Sequence, residues 1–225
     1  MPLDYASVVF AYDGTVIASG GNRYLKDFGP HSLDALFPGG AADPVPQLDG
    51  SILFSGAQYA SLAGAVQTRF YQVAPTAQFT WLLRLTASNG AVFASWDSAN
   101  KGMIVLQTTA GELRLYEGQG GACPYVLSAL FPHGRHRAMV TTTEASPRSL
   151  LDQSVDNVTW VGAYAAPSHD PTIIPRIGIY PNGTTALTGN LHYLCLMKGS
   201  VSSPDLAYAS RLLAEGVKPF CWRRP

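Results

Sequence analysis

The sequence predicts an all-β protein: one antiparallel β-sandwich finished by a short C-terminal helix. Three observations carry that prediction. Residues 191–197 are apolar or aromatic except for His192, a run too short for a helix and suited to a strand covered on both faces. The pattern then turns helical: Ser202 or Ser203 can cap, Pro204 suits a first turn, Leu206, Ala209, Leu212 and Leu213 recur at helical spacing, and Gly216 can close the helix. In residues 79–86, by contrast, Phe79, Trp81, Leu83 and Leu85 share one face and Thr80, Arg84 and Thr86 the other, with Leu82 breaking the alternation.

The remaining elements follow in chain order. Residues 7–12 read as a first strand, ended by Asp13-Gly14. Residues 17–50 have little periodicity and much Gly, Pro and Asp. Leu53-Phe54-Ser55-Gly56 and Tyr59-Ala60-Ser61-Leu62 read as a hairpin turning at Gly56, and Asn89-Gly90 as a tight turn before a strand over 91–96. Residues 102–107 and 112–116 form a second hairpin. Residues 136–142, Trp160 and residues 175–180 supply further strands. No internal repeat or low-complexity linker divides the chain.

Taken in this order, several motifs resemble the laminin-G-like, concanavalin A-like lectin and glucanase superfamily. They are the 53–62 segment, Phe79-Thr80-Trp81, His136-Arg137-Ala138-Met139-Val140-Thr141, Ile177-Gly178 and the terminal strand, turn and helix. Asp27-Phe28-Gly29-Pro30-His31 matches a loop of that family only loosely, with Gly29 and Pro30 where Ser and Gly usually stand. The resemblance spans residues 7–216. It implies a concanavalin A-like jelly roll over residues 1–216, with the first strand beside the 191–197 strand. Residues 217–225 follow as a tail whose Phe220, Trp222, Arg223 and Arg224 have the composition of a partner-docking segment.

Composition narrows the function. Charged residues are 13% of the 225 and the formal net charge is zero, which disfavours nucleic-acid binding and suits a neutral ligand or a partner-covered surface. No stretch is long and apolar enough to span a bilayer, and the first thirteen residues carry Asp4 and no basic residue, unlike a signal peptide. Three cysteines exclude a dense disulfide framework, and Cys195 reads as an inert core thiol.

A carboxylate-pair glycosidase needs two acids flanking one bond. Glu112 and Glu117 fall on opposite faces of a strand, and Asp152 and Asp156 fall in a loop, so the expectation is no enzyme. His133 and His136 with Cys123 lack a fourth ligand for zinc. Asp97, Asn100 and Asp170 are oxygen donors, but no dense acidic loop completes a calcium site, so no cofactor is expected. Sugar binding needs an aromatic platform beside polar groups. Trp96, Asp97 and Asn100 form one candidate, and Trp160 with Tyr164, His169 and Asp170 another. Asn157-Val158-Thr159 and Asn182-Gly183-Thr184 are formal glycosylation sequons.

Together with the resemblance, these features point to non-catalytic recognition. The expected setting is a tailed-phage virion, as a capsid-decoration or tail-associated protein docking other virion proteins or its own copies and touching host glycans. A stand-alone carbohydrate-binding lectin is the alternative, and a glycoside hydrolase ranks below both.

Overall fold

The computed structural model describes residues 3–96, 99, 101–107, 112–119, 125–130, 137–143, 148–151, 153, 158–160 and 167–220. The first half holds β1 (Val8–Ser19), β2 (Asn22–Asp27), β3 (Ala35–Leu36), β4 (Val45–Pro46), β5 (Ile52–Ser55), β6 (Ala60–Ser61), helix α1 (Ala65–Val73) and β7 (Phe79–Ala94). Then come β8 (Lys101–Gln107), β9 (Glu112–Gln119), β10 (Tyr125–Leu130), β11 (Arg137–Thr143), β12 (Arg148–Leu151), β13 (Val158–Trp160), β14 (Arg176–Ile177), β15 (Thr188–Lys198) and helix α2 (Ser203–Ala214).

β15 is central, and its sequence explains why. Leu194 and Leu196 face the main core, while Tyr193, Cys195 and Met197 face a second, outer layer. Both faces are covered, so the run is continuously apolar. β1 and β7 flank it antiparallel, with Tyr12 opposite Leu194 and Leu83 opposite Leu194 on the other side. Phe79, Trp81, Leu83 and Leu85 of β7 all point into the main core, as their alternation requires. Phe10, Trp81 and Phe93 meet there at centroid distances of 5.4–6.0 Å. Fully burying a ring such as Phe10 or Phe93 contributes about 1.5–3 kcal/mol.

The expected pair of stacked jelly-roll layers needs correcting. The strands β7-β14-β6-β3-β2-β1-β15 run in order, and β15 pairs back onto β7, so seven strands close an antiparallel barrel to which the others are added. Two long strands serve both sides of it. β7 pairs with β15 and β11 up to residue 89, then with β8 and β14 from Gly90 onward. β1 pairs with β15 over residues 8–12 and with β2 from Val16. Glycine makes the bends. Gly90 has φ +106° and a Cβ there would sit 2.2 Å from the Ala186 carbonyl oxygen; Gly14 has φ +91° and its Cβ would sit 2.1 Å from that of Gly50. The predicted turn at Asn89-Gly90 and the predicted strand end at Asp13-Gly14 are therefore kinks within continuous strands.

The 53–62 hairpin is also corrected. β5 pairs with β15 and β4, whereas β6 pairs with β14 and β3, so the chain crosses between elements at Gly56 instead of folding back. β1 beside β15 and the β8–β9 hairpin match expectation, and β11 lies beside β7.

The outer layer is α2 laid on β15. Ser202 caps it, its Oγ accepting from the Asp205 amide at 3.3 Å, and Leu206, Ala209 and Leu213 are buried against Tyr193, Cys195 and Met197. Gly216 (φ +82°) ends it: the amides of Gly216 and Val217 return to the carbonyls of Leu213 and Leu212. The chain then doubles back. Tyr193 donates to the Pro219 carbonyl at 2.6 Å, and Lys218 donates to those of Asp13 and Gly50. Phe220, expected as a docking anchor, packs inward at 5% exposure, 6.0 Å from the Tyr5 ring, because the outer layer is still open at that end. Trp222, Arg223 and Arg224 lie outside the described residues. Among the described residues no helix is long and apolar enough to cross a membrane.

Candidate functional site

A cleft of about 560 Å³ opens where β7 ends. Trp96 stands two residues past β7, and Arg176 of β14 lies directly across from Ala94. Strand pairing thus brings a tryptophan and an arginine, eighty positions apart in the chain, to one wall. The opposite sides are two turns. Residues 171–174 supply Thr172, Ile173 and Ile174; residues 181–182 supply Pro181 and Asn182.

Both turns are held from behind. Asp170 Oδ1 accepts from the Thr172 amide at 2.8 Å and its hydroxyl at 2.7 Å. Gln67 and Tyr71 of α1 donate to the Ile173 carbonyl at 3.1 and 2.8 Å, and Gln67 donates to that of Pro171 as well. The 180–184 turn closes with the Tyr180 amide on the Thr184 carbonyl, and Asn182 Oδ1 takes the Thr184 amide and hydroxyl at 3.0 and 2.7 Å. Gly178 (φ +90°) lets this segment pass Phe54, whose ring would lie 2.3 Å from a Cβ. Backing of this kind holds a site in shape before any ligand arrives.

The Trp96 and Tyr180 rings lie 6.0 Å apart, tilted by 46°. Trp96 is half-buried, and its Nε1 is closed off with no hydrogen-bond partner among the described residues. The Arg176 guanidinium lies over the Tyr59 ring, 4.7 Å from its centroid. Its Nε is buried without a partner, and Arg176 is the one charged residue among the described lining. The wall is therefore mostly apolar, with one cation and an amide at its rim.

Sequence reasoning placed Trp96 here. Asp97 and Asn100 lie outside the described residues, as do Tyr164, Cys123, His133 and His136. Trp160 ends β13 opposite Leu127 of β10, and its side chain lies outside the described residues. His169 is turned to structure: its Nε2 donates to the Pro75 carbonyl at 2.8 Å, its ring packs beside Tyr71, and burial lowers its pKa. Asp170 is occupied by its own turn. Among the described residues no group of three or more His, Cys, Asp or Glu is placed to hold a metal. Arg176, Tyr180 and Asn182 were missed. Their one signal was an arginine set in an otherwise apolar run, Ile173 to Tyr180.

Neither a protein-family model nor a curated protein sequence matches the chain. Solved structures do. The receptor-binding domain of botulinum neurotoxin C/D mosaic serotype is similar over 92% of this chain and 52% of its own, with a TM-score of 0.67 and 8% identity. Trypanosoma rangeli sialidase is similar over 94% of this chain, with a TM-score of 0.62 and 14% identity, and this chain spans only 33% of that enzyme. The Ruminococcus gnavus IT-sialidase CBM40, bound to α2,3-sialyllactose, is similar over 71% of this chain and 95% of its own, with a TM-score of 0.56 and 9% identity. At such identities the likeness is one of fold, and the fold of this chain is the β-rich, lectin-like fold of these domains.

Proposed function

We propose that this chain is a non-catalytic carbohydrate-recognition module and that the cleft at Trp96 receives the sugar. The observation that carries the reading is the cleft itself: a pre-formed, mainly apolar wall with Trp96, its ring backed by Tyr180, and a few polar groups. Sugars present apolar C–H faces that stack on aromatic rings and hydroxyls that need fixed partners, and such a wall meets both needs. The fold supports the reading, since one neighbour, matched over 95% of its own length, is a CBM40 bound to α2,3-sialyllactose.

Glycan-array binding followed by titration calorimetry tests this. The expected result is binding that Trp96→Ala weakens by about 10-fold or more, the loss of one stacked aromatic anchor. Binding unchanged by Trp96→Ala, or release of a cleaved product, would sink it. Placement on a tailed-phage particle, bound to other virion proteins or to copies of itself, is the narrower reading. It rests on the sequence resemblance, and the glycan reading ranks ahead of it because the structural neighbours favour that one.

A further inference from the structure

We infer that the cleft selects an acidic glycan and that Arg176 receives a carboxylate on its sugar; this rests on the cleft being the sugar site. The argument starts from charge. Arg176 is half-buried, yet it makes no ion pair and no side-chain hydrogen bond among the described residues. Several other cations have polar partners: Arg114 bonds Glu112, Lys26 bonds Asp34, Arg23 bonds Asp43, and Arg148 bonds Ser203 and the Val201 carbonyl. What sets Arg176 apart is its place on the cleft wall. The Arg176 Nε–H is buried with no acceptor among the described residues, which costs free energy, and an acceptor arriving in the cleft removes that cost.

Geometry narrows the partner. Stacking on Tyr59 at 4.7 Å holds the guanidinium plane, and β14 pairing on both sides holds its backbone. A fixed planar fork matches a carboxylate through two parallel N–H···O bonds, and a neutral hydroxyl uses it poorly. Nothing in the described lining competes, since Thr172, Ile173, Ile174, Pro181, Asn182 and Trp96 carry no negative charge. Asp170, the acid nearest in sequence, has Oδ1 engaged by both donors of Thr172. The apolar wall then takes the ring carbons of the same sugar, which orients the acid toward Arg176 and away from Ile174.

Matched glycans test this on the full chain. The probes are α2,3-sialyllactose against lactose and a glucuronate-terminated oligosaccharide against its glucose counterpart, together with the methyl ester of each acid. The wild type binds at least one free acid about 10–100-fold more tightly than its neutral partner and its ester, the worth of charged hydrogen bonds, and binding weakens as salt rises. Arg176→Gln abolishes the preference while Arg176→Lys keeps part of it, with thermal melts reporting whether each variant folds. The ester comparison needs no variant at all. If neutral sugars or esters bind as tightly, in a Trp96-dependent way, the acid assignment falls and the module reading stands. If no glycan of either kind binds, both fall.

Discussion

Replacing Asp27 by Asn is the sharpest test of how this fold is held. Asp27 is 2% exposed at the end of β2, and its carboxylate takes three backbone amides: Ala11 and Gly29 on Oδ1, Leu33 on Oδ2, each at 2.8 Å. One side chain thereby ties β1 to the 28–33 loop. Asn presents one acceptor and one donor. Whichever way its amide turns, an NH₂ group faces an amide N–H, and at least one buried donor is orphaned. An orphaned buried donor costs about 1–3 kcal/mol. The unpaired NH₂ adds a cost of the same order, so the loss should be about 2–6 kcal/mol. With a urea slope of about 2 kcal/mol per molar, the unfolding midpoint falls by about 1–3 M. The pH dependence follows from the raised pKa of Asp27. Burial raises it most, the three amides pull it down, and Asp34 adds to the rise. The folded state holds this proton more tightly than the unfolded chain does. The contribution to stability is therefore complete below the ordinary aspartate value and is lost as pH rises through the raised one. The comparison with Asn is made above that raised value, where the carboxylate is ionised and takes all three amides. A midpoint within about 0.2 M of wild type there would refute the account.

Two further outcomes concern the barrel and its outer layer. Gly90→Ala should cost about 3 kcal/mol or more in urea unfolding, from positive φ and overlap with the Ala186 carbonyl, whereas Gly20→Ala (φ +58°, open space) should cost only about 1–2. Phe220→Ala should lower stability by about 3 kcal/mol in the same assay, because it empties a buried ring site beside Tyr5. A Phe220→Ala protein as stable as wild type would mean that the segment does not pack on this layer.

The parts legible in advance were those written in local periodicity. Alternation in residues 79–85 and the two-faced run at 191–197 made β7 and β15 readable, and Ser202, Pro204 and Gly216 marked both ends of α2. α1 was not legible. Its N-cap is Gly64 with no side-chain bond, so it carries no start signal, and Phe70 is its one fully buried residue, with Val66, Tyr71 and Val73 only partly covered. Gly56, Gly14 and Gly90 were misread for one reason: a glycine at positive φ serves a turn, a kink or a close backbone approach equally well, and the neighbour that decides is distant in sequence. Asp27 looked like an ordinary loop acid until three amides were found around it.

By itself the sequence determined that this chain is β-rich, which faces of its long strands are buried, and where its last helix begins and ends. These follow from side-chain spacing along single elements. Only the tertiary structure decided that the strands close into a barrel and that Trp96 and Arg176 share one wall. Those outcomes depend on which strands pair, and pairing is set by packing and backbone contacts between residues far apart in the chain, which no local pattern records.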